Sequence, residues 1–128
     1  MQSDLTLGVP DPRPVVERSA DADWRLVGVR CTACGYPMLE PLERCPVCGG
    51  PCAAARFGPL ATVFAATVLR VPVPGRAPPY ALAYVDVDDG PRLLVHVDRT
   101  DGALAPGTRV RLAGATDDGD PLVTEEAP

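Results

Sequence analysis

The chain has no lysine, no asparagine and no isoleucine, a single histidine and only two serines. All 12 basic residues are therefore arginine, and 17 acids leave a formal charge of −5. The missing residue types, beside abundant Ala, Gly, Pro and Val, reflect GC-rich coding and carry no functional meaning. Ser3 and Ser19 both fall in a proline- and acid-rich N-terminal stretch. A serine triad has no rigid platform there, and that class is excluded. No apolar run approaches the roughly 20 residues that cross a bilayer as a helix. The longest, "ATVFAATVLRV" at 61–71, is about half that length, so no membrane partner is expected. A positively charged start followed by an apolar run is also missing, and the five cysteines are odd in number. A secretory disulfide framework is not expected, and the sequence points to the cytoplasm. Aromatic residues make up only 5%. An acidic chain so poor in stacking rings lacks the basic, aromatic-lined groove of a single-strand binder, and no nucleic-acid partner is expected.

The most specific signal present is "CTACGYPMLEPLERCPVCGG", residues 31–50, in which two C-x-x-C-G clips are separated by ten residues. In such a turn two thiolates face one metal, backbone amides point at the sulfurs, and the glycine takes the positive-φ position. Cys31, Cys34, Cys45 and Cys48 thus supply four soft ligands, which favour one tetrahedral Zn²⁺ over a rubredoxin-like iron. A closed four-thiolate site has no place for water, so the ion is expected to be structural. It would also add about two negative charges to the formal count. Cys52, four residues beyond Cys48, is read as a spare thiol rather than a fifth ligand.

Around the clips the chain divides into an N-terminal arm at 1–23, a ribbon at 24–57, and a domain at 58–128 with a short C-terminal tail. The arm offers only Val15, Val16 and Glu17 as a short helical turn. "WRLVGVR" reads as a strand that Gly28 interrupts. Beyond Cys52 the texture becomes alternating and β-branched, giving strands at Leu60–Val71, Tyr80–Asp88, Arg92–Asp98, Thr108–Gly114 and Pro121–Glu125. Gly, Pro and Asp turns separate them. The fold class is mainly β: a rubredoxin-like zinc ribbon followed by a five-stranded OB-fold Greek-key barrel, closed so that its edges are hidden. Val63, Val68, Ala83, Val85, Leu94 and Leu112 are expected in its core. His96 lies on the face opposite Val95 and Val97 and is read as a surface or satisfied polar residue. The acidic turns at Asp86, Asp88 and Asp89 and at Asp117, Asp118 and Asp120 are read as side-chain caps.

The same residues resemble a known family. Arg30, Cys31, Cys34, Gly35, Pro41, Cys45, Pro46, Cys48 and Gly49 fit its ribbon. Pro79, Tyr80, Gly90, Pro91, Arg92, Gly107 and Val110 follow in its order and approximate spacing. The family is that of zinc-ribbon plus OB-fold proteins that accompany thiolase-fold enzymes, and the resemblance covers Trp24 to about Val123. It implies a non-catalytic accessory subunit without catalytic residues of its own. Its partner would be a thiolase-fold or ketosynthase-like protein: a thiolase, an HMG-CoA synthase-like enzyme, an aldolase or an acyltransferase. An acyl-CoA or acyl-carrier substrate would sit at the shared boundary. Apolar groups in excess of what a small ribbon can bury, Tyr36, Met38, Leu39 and Phe57, are candidates to meet that partner. Tyr80, in the proline-rich loop, and Arg76 and Arg92, suited to a phosphate or carboxylate, are candidates at the same boundary. The competing class is a single-stranded nucleic-acid or transcription-associated binder, since ribbons and OB barrels serve there too.

Overall fold

The computed structural model describes residues 13–127, and among them nine strands and no helix form the regular structure. Four strands make the ribbon's sheet: β1 (Val16–Arg18), β2 (Trp24–Cys31), β3 (Pro37–Met38) and β4 (Cys52–Phe57). β2 is the shared member, antiparallel to the other three. The expected helical turn at Val15–Glu17 is instead the β1 edge of a hairpin. Two β-branched valines favour extended backbone there. The reversal after β1 is closed by the Ser19 amide on the Asp23 carbonyl at 2.7 Å, with Ala22 at φ 71°. Residues 1–12 of the expected arm lie outside the described residues.

Gly28 does not interrupt β2; the strand runs through it. A Cβ at this position would lie 2.4 Å from the Met38 carbonyl oxygen and 2.7 Å from the Phe57 ring. The glycine is the close-approach point at which β3 and Phe57 pack onto β2.

The second unit is a closed barrel of β5 (Leu60–Leu69), β6 (Tyr80–Val87), β7 (Arg92–Val97), β8 (Arg109–Ala115) and β9 (Pro121–Glu125). Its order is β5-β6-β7-β9-β8, with β7 and β9 parallel and every other pair antiparallel, as in an OB-fold. A bulge between Val63 and Ala65 lets β5 pair with both β6 and β8, and turns Phe64 outward. Ala81, Ala83, Val85 and Val87 alternate into the interior as their spacing predicts. They meet Val63, Val95, Val110, Leu112 and Val123 in one cluster. Each such valine or leucine, fully buried, contributes about 1.5–3 kcal/mol relative to exposure.

Leu94 corrects the expected core. It is 45% exposed, because β7 pairs with β6 so that Leu93, Val95 and Val97 face inward and Leu94 lies opposite Tyr84 on the outer face. Val68, past the bulge, packs only partly against the cluster.

Ribbon and barrel are joined by Gly58 and Pro59 alone, and the seam is packed. Leu26 and Phe57 belong to the same buried cluster as the barrel valines. Gly90 in the β6–β7 turn sits against Phe57, where a Cβ would come within 3.1 Å of its side chain. Arg30 stacks over the Phe57 ring at 5.3 Å and donates to the carbonyls of Gly35 and Asp89, one in each unit. On the other side Trp24 covers Gly114, and Arg111 reaches Asp23 at 3.0 Å.

Candidate functional site

The four clip cysteines come together at the end of the ribbon remote from its β1 hairpin. Each clip repeats one turn. The Gly35 amide bonds the Cys31 carbonyl at 3.0 Å while the Cys31 amide bonds the Tyr36 carbonyl; Gly49, Cys45 and Gly50 repeat the pattern. Gly35 and Gly49 sit at φ 82° and 77°, the left-handed region glycine adopts without strain. Thr32 ties the clips together through its amide and hydroxyl, both donated to the Pro51 carbonyl.

The ligand atoms of Cys31, Cys34, Cys45 and Cys48 all lie within 4.8 Å of one another. Cys31 and Cys48 sulfurs are 3.5 Å apart, and those of Cys34 and Cys45 are 3.6 Å apart. A tetrahedron with Zn–S bonds of about 2.3 Å has edges of about 3.8 Å, so the cluster fits one zinc ion. Backbone amides of Ala33 and Cys34 donate to the Cys31 sulfur, Val47 to Cys45, and Gly50 to Cys48. These bonds favour thiolates. The Cys34 amide, with that of Ala33, draws the Cys31 thiol down to about 6 against the cost of its burial. Cys34 receives an amide bond from Tyr36 as well, yet burial and the three neighbouring sulfurs push it up to about 12. Four sulfurs this close cannot all carry charge without a cation between them, which is the electrostatic requirement of a metal-holding cage. The residues fit zinc, and the chemistry the ion supplies is a tether between two clips. All four ligands come from the chain, so the site is closed to substrate.

Cys52 stands outside the cluster, paired across strands with Cys31 in the β2–β4 register. Its thiol is pushed up by burial and by the neighbouring cysteines. His96 lies far along the barrel, with Arg76, Asp120 and Tyr80 as its neighbours. Cys52 and His96 therefore belong to different parts of the fold and form no nucleophile–base pair.

The residues expected at a partner boundary separate. Met38 and Phe57 are buried, 7% and 2% exposed, because they fill the seam that the short linker forces together. They are not available to a partner, which corrects that expectation. Leu39 is half-buried against the core, and Tyr36 is exposed beside the first clip. Arg92 pairs with Asp86 at 2.6 Å and lies over the Phe64 ring at 3.6 Å. Arg76 pairs with Asp118 and Asp120, contacts His96 at 3.0 Å and stacks over Tyr80. Both arginines, expected to meet a phosphate, are thus engaged by carboxylates of the chain itself. Asp86, Asp118 and Asp120 correspondingly act as ion-pair partners rather than caps; Asp88 likewise pairs with Arg109 at 2.7 Å.

Arg76, Tyr80, His96 and Asp120 line a cleft of about 330 Å³ on the outer barrel. Sequence reasoning missed this cluster, which gathers residues from the β5–β6 loop, β6, β7 and the β8–β9 turn. Arg76 and Tyr80 were singled out for a partner boundary, but nothing local in the sequence joined them to His96 and Asp120. Burial, with Arg76 beside it, holds His96 below its ordinary value although Asp120 and Asp118 oppose the shift.

Residues 18–51 match the family model described as the ChsH2 rubredoxin-like zinc ribbon domain, and residues 54–115 match that of the ChsH2 C-terminal OB-fold domain. Among solved structures, a chain of the one described as an Ltp2-ChsH2(DUF35) aldolase is similar to this chain. The TM-score is 0.64 at 26% identity, covering 79% of this chain and 84% of that one. No curated protein matches the sequence. Both units match, in the same order, the zinc-ribbon and OB-fold domain models of one protein, ChsH2.

Proposed function

We propose that this chain is a non-catalytic accessory subunit of a thiolase-fold enzyme of the aldolase kind. It supports assembly of the complex and the binding of an acyl-CoA or acyl-carrier substrate, and it works in the cytoplasm. The observation that carries the reading is the likeness, over most of both chains, to a chain of an Ltp2-ChsH2(DUF35) aldolase.

The chemistry of the chain is compatible with that role. Its metal cage is saturated by protein sulfurs, so the zinc holds structure and does not activate substrate. His96 is tied to Arg76 and Asp120, and Arg92 to Asp86. With Arg76 and Arg92 engaged, the phosphate contacts of an acyl-CoA fall mainly to the partner, and this chain contributes a rigid wall. Arginines elsewhere, among them Arg99, Arg109 and Arg111, are likewise in ion pairs, which disfavours the alternative of a phosphate-tracking nucleic-acid groove.

The test is co-expression with a thiolase-fold aldolase of the same organism, followed by size exclusion. A single peak containing both chains is expected. Two separate peaks, with the enzyme equally soluble when this chain is omitted, would end the accessory reading.

A further inference from the structure

Exposed apolar residues lie on the barrel as well as on the ribbon. On the outer face of the barrel, β6 and β7 present three successive cross-strand pairs: Asp86 with Arg92, Tyr84 with Leu94, and Leu82 with His96. Tyr84 and Leu94 are 48% and 45% exposed, and Phe64, turned out by the β5 bulge, is 51% exposed. A groove of about 180 Å³ runs between β5, β6 and β7, lined by Ala66, Leu82, Tyr84 and Leu94 among others. Leu82 and Leu94 also line the cleft of Arg76 and His96, so groove and cleft form one trough. Its middle is apolar and its two ends are charged, the pattern of a docking face with an apolar centre and a polar rim. The ribbon's exposed apolar residues, Tyr36, Leu42 and Val47, sit in loops and a turn instead of on a strand face.

The charges select the occupant. At one end the rim carries Asp118 and Asp120, with the Asp118 side chain 60% exposed; at the other it carries Asp86, 48% exposed. Arg76 is held inward by Asp118 and Asp120, whereas Arg92, 47% exposed, balances Asp86 at its own end. A second copy would carry the same net charge of −5 toward an end where two carboxylates face one arginine. An apolar ridge with a basic side chain at that end, on a different protein, meets the trough without that repulsion.

We infer that the β5–β6–β7 face, centred on Leu94, Tyr84 and Leu82, is the surface by which this chain docks its enzyme partner, which presents an apolar ridge with a basic group facing the Asp118 end. This rests on the accessory-subunit reading and places its interface on the barrel, not on the ribbon loop. Both Leu94 and Tyr84 stand on rigid neighbouring strands outside the core, so they can act as pre-ordered anchors.

The experiment measures affinity for the thiolase-fold aldolase that co-purifies with the wild-type chain in the test above, using full-length Leu94→Arg, Tyr84→Arg and, as a ribbon control, Leu42→Arg. Melting and zinc content establish that each variant is folded. Leu94→Arg and Tyr84→Arg are expected to weaken association about 30-fold or more, as loss of a central anchor does, while Leu42→Arg stays near wild type. Asp118→Arg should slow association most at low salt. If wild type binds and both barrel variants bind equally well, the inference is overturned and the accessory reading survives. If wild type alone forms a dimer that Leu94→Arg dissolves, the face joins two copies and the inference is also overturned. A wild-type chain that ignores the enzyme overturns the accessory reading and this inference together.

Discussion

The ribbon and the barrel are both built of short strands, yet they are held by different forces. Among the described residues before β4, Leu26, Met38, Cys31 and Cys45 are the buried apolar side chains, and two of those four are metal ligands. The barrel buries valines and alanines from all five strands in one continuous cluster. A sheet of four strands, two of them only two or three residues long, cannot offset its chain entropy by apolar burial. The sulfur cage does that work in the ribbon, whereas the barrel needs no ion. The comparison teaches that one polypeptide can place a metal-dependent module on a metal-independent one, provided the seam between them is packed.

The largest expected effect separates the two modules. Cys45→Ser should reduce zinc from one equivalent to near none and remove hydrogen-exchange protection from residues 31–52, while the barrel amides stay protected. Structural zinc in isolated finger peptides is worth about 10–16 kcal/mol, so little of the ribbon's order should survive. Cys52→Ser should retain the full equivalent. Loss of zinc in Cys52→Ser with retention in Cys45→Ser would reverse the ligand set.

Val85→Asp attacks the other module. It places an unpaired carboxylate in a fully buried position and should cost about 5 kcal/mol, read by denaturant melting. Zinc content should remain at one equivalent. Next in size, Phe57→Ala empties the seam and should destabilise the chain by about 3–4 kcal/mol. Its signature is a split: ribbon and barrel transitions, expected to coincide in wild type because the seam is packed, should separate. A single unchanged transition would show that the seam does not couple them.

The smallest effect concerns His96. Its folded pKa lies below the usual 6.5. As pH falls through 6.5 the unfolded chain takes up a proton that the folded chain resists, so stability declines across that window and levels off below the folded value. The difference in melting between wild type and His96→Gln should therefore shift in the variant's favour as pH drops from 7 toward 5. Taking the difference cancels acid release of zinc, which both chains share. A difference independent of pH would mean that His96 titrates alike in both states.

The four ligands were legible in the sequence because metal chemistry fixes residue type and spacing locally: two identical clips leave few alternatives. The barrel was legible through its period-two strands, above all Ala81, Ala83, Val85 and Val87. Leu94 was not, since inward and outward apolar residues look alike in "RLLVHV" and only pairing with β6 decides the register. Met38 and Phe57 were misplaced for a related reason. Their burial depends on a two-residue linker folding the barrel back onto β2, and Gly28, which makes room for them, reads in sequence as a strand breaker. The Arg76, His96, Asp118 and Asp120 cluster joins positions up to 44 residues apart, beyond the reach of any local pattern.

The most direct test of the central claim is a titration of the separately purified thiolase-fold enzyme with this chain, following carbon–carbon bond cleavage of an acyl-CoA substrate. The account predicts that this chain alone gives no turnover. Enzyme activity should rise with added zinc-loaded chain, saturate at a fixed ratio, and fail to rise with the Cys45→Ser chain. Full activity of the enzyme by itself, unchanged at every ratio, would contradict it.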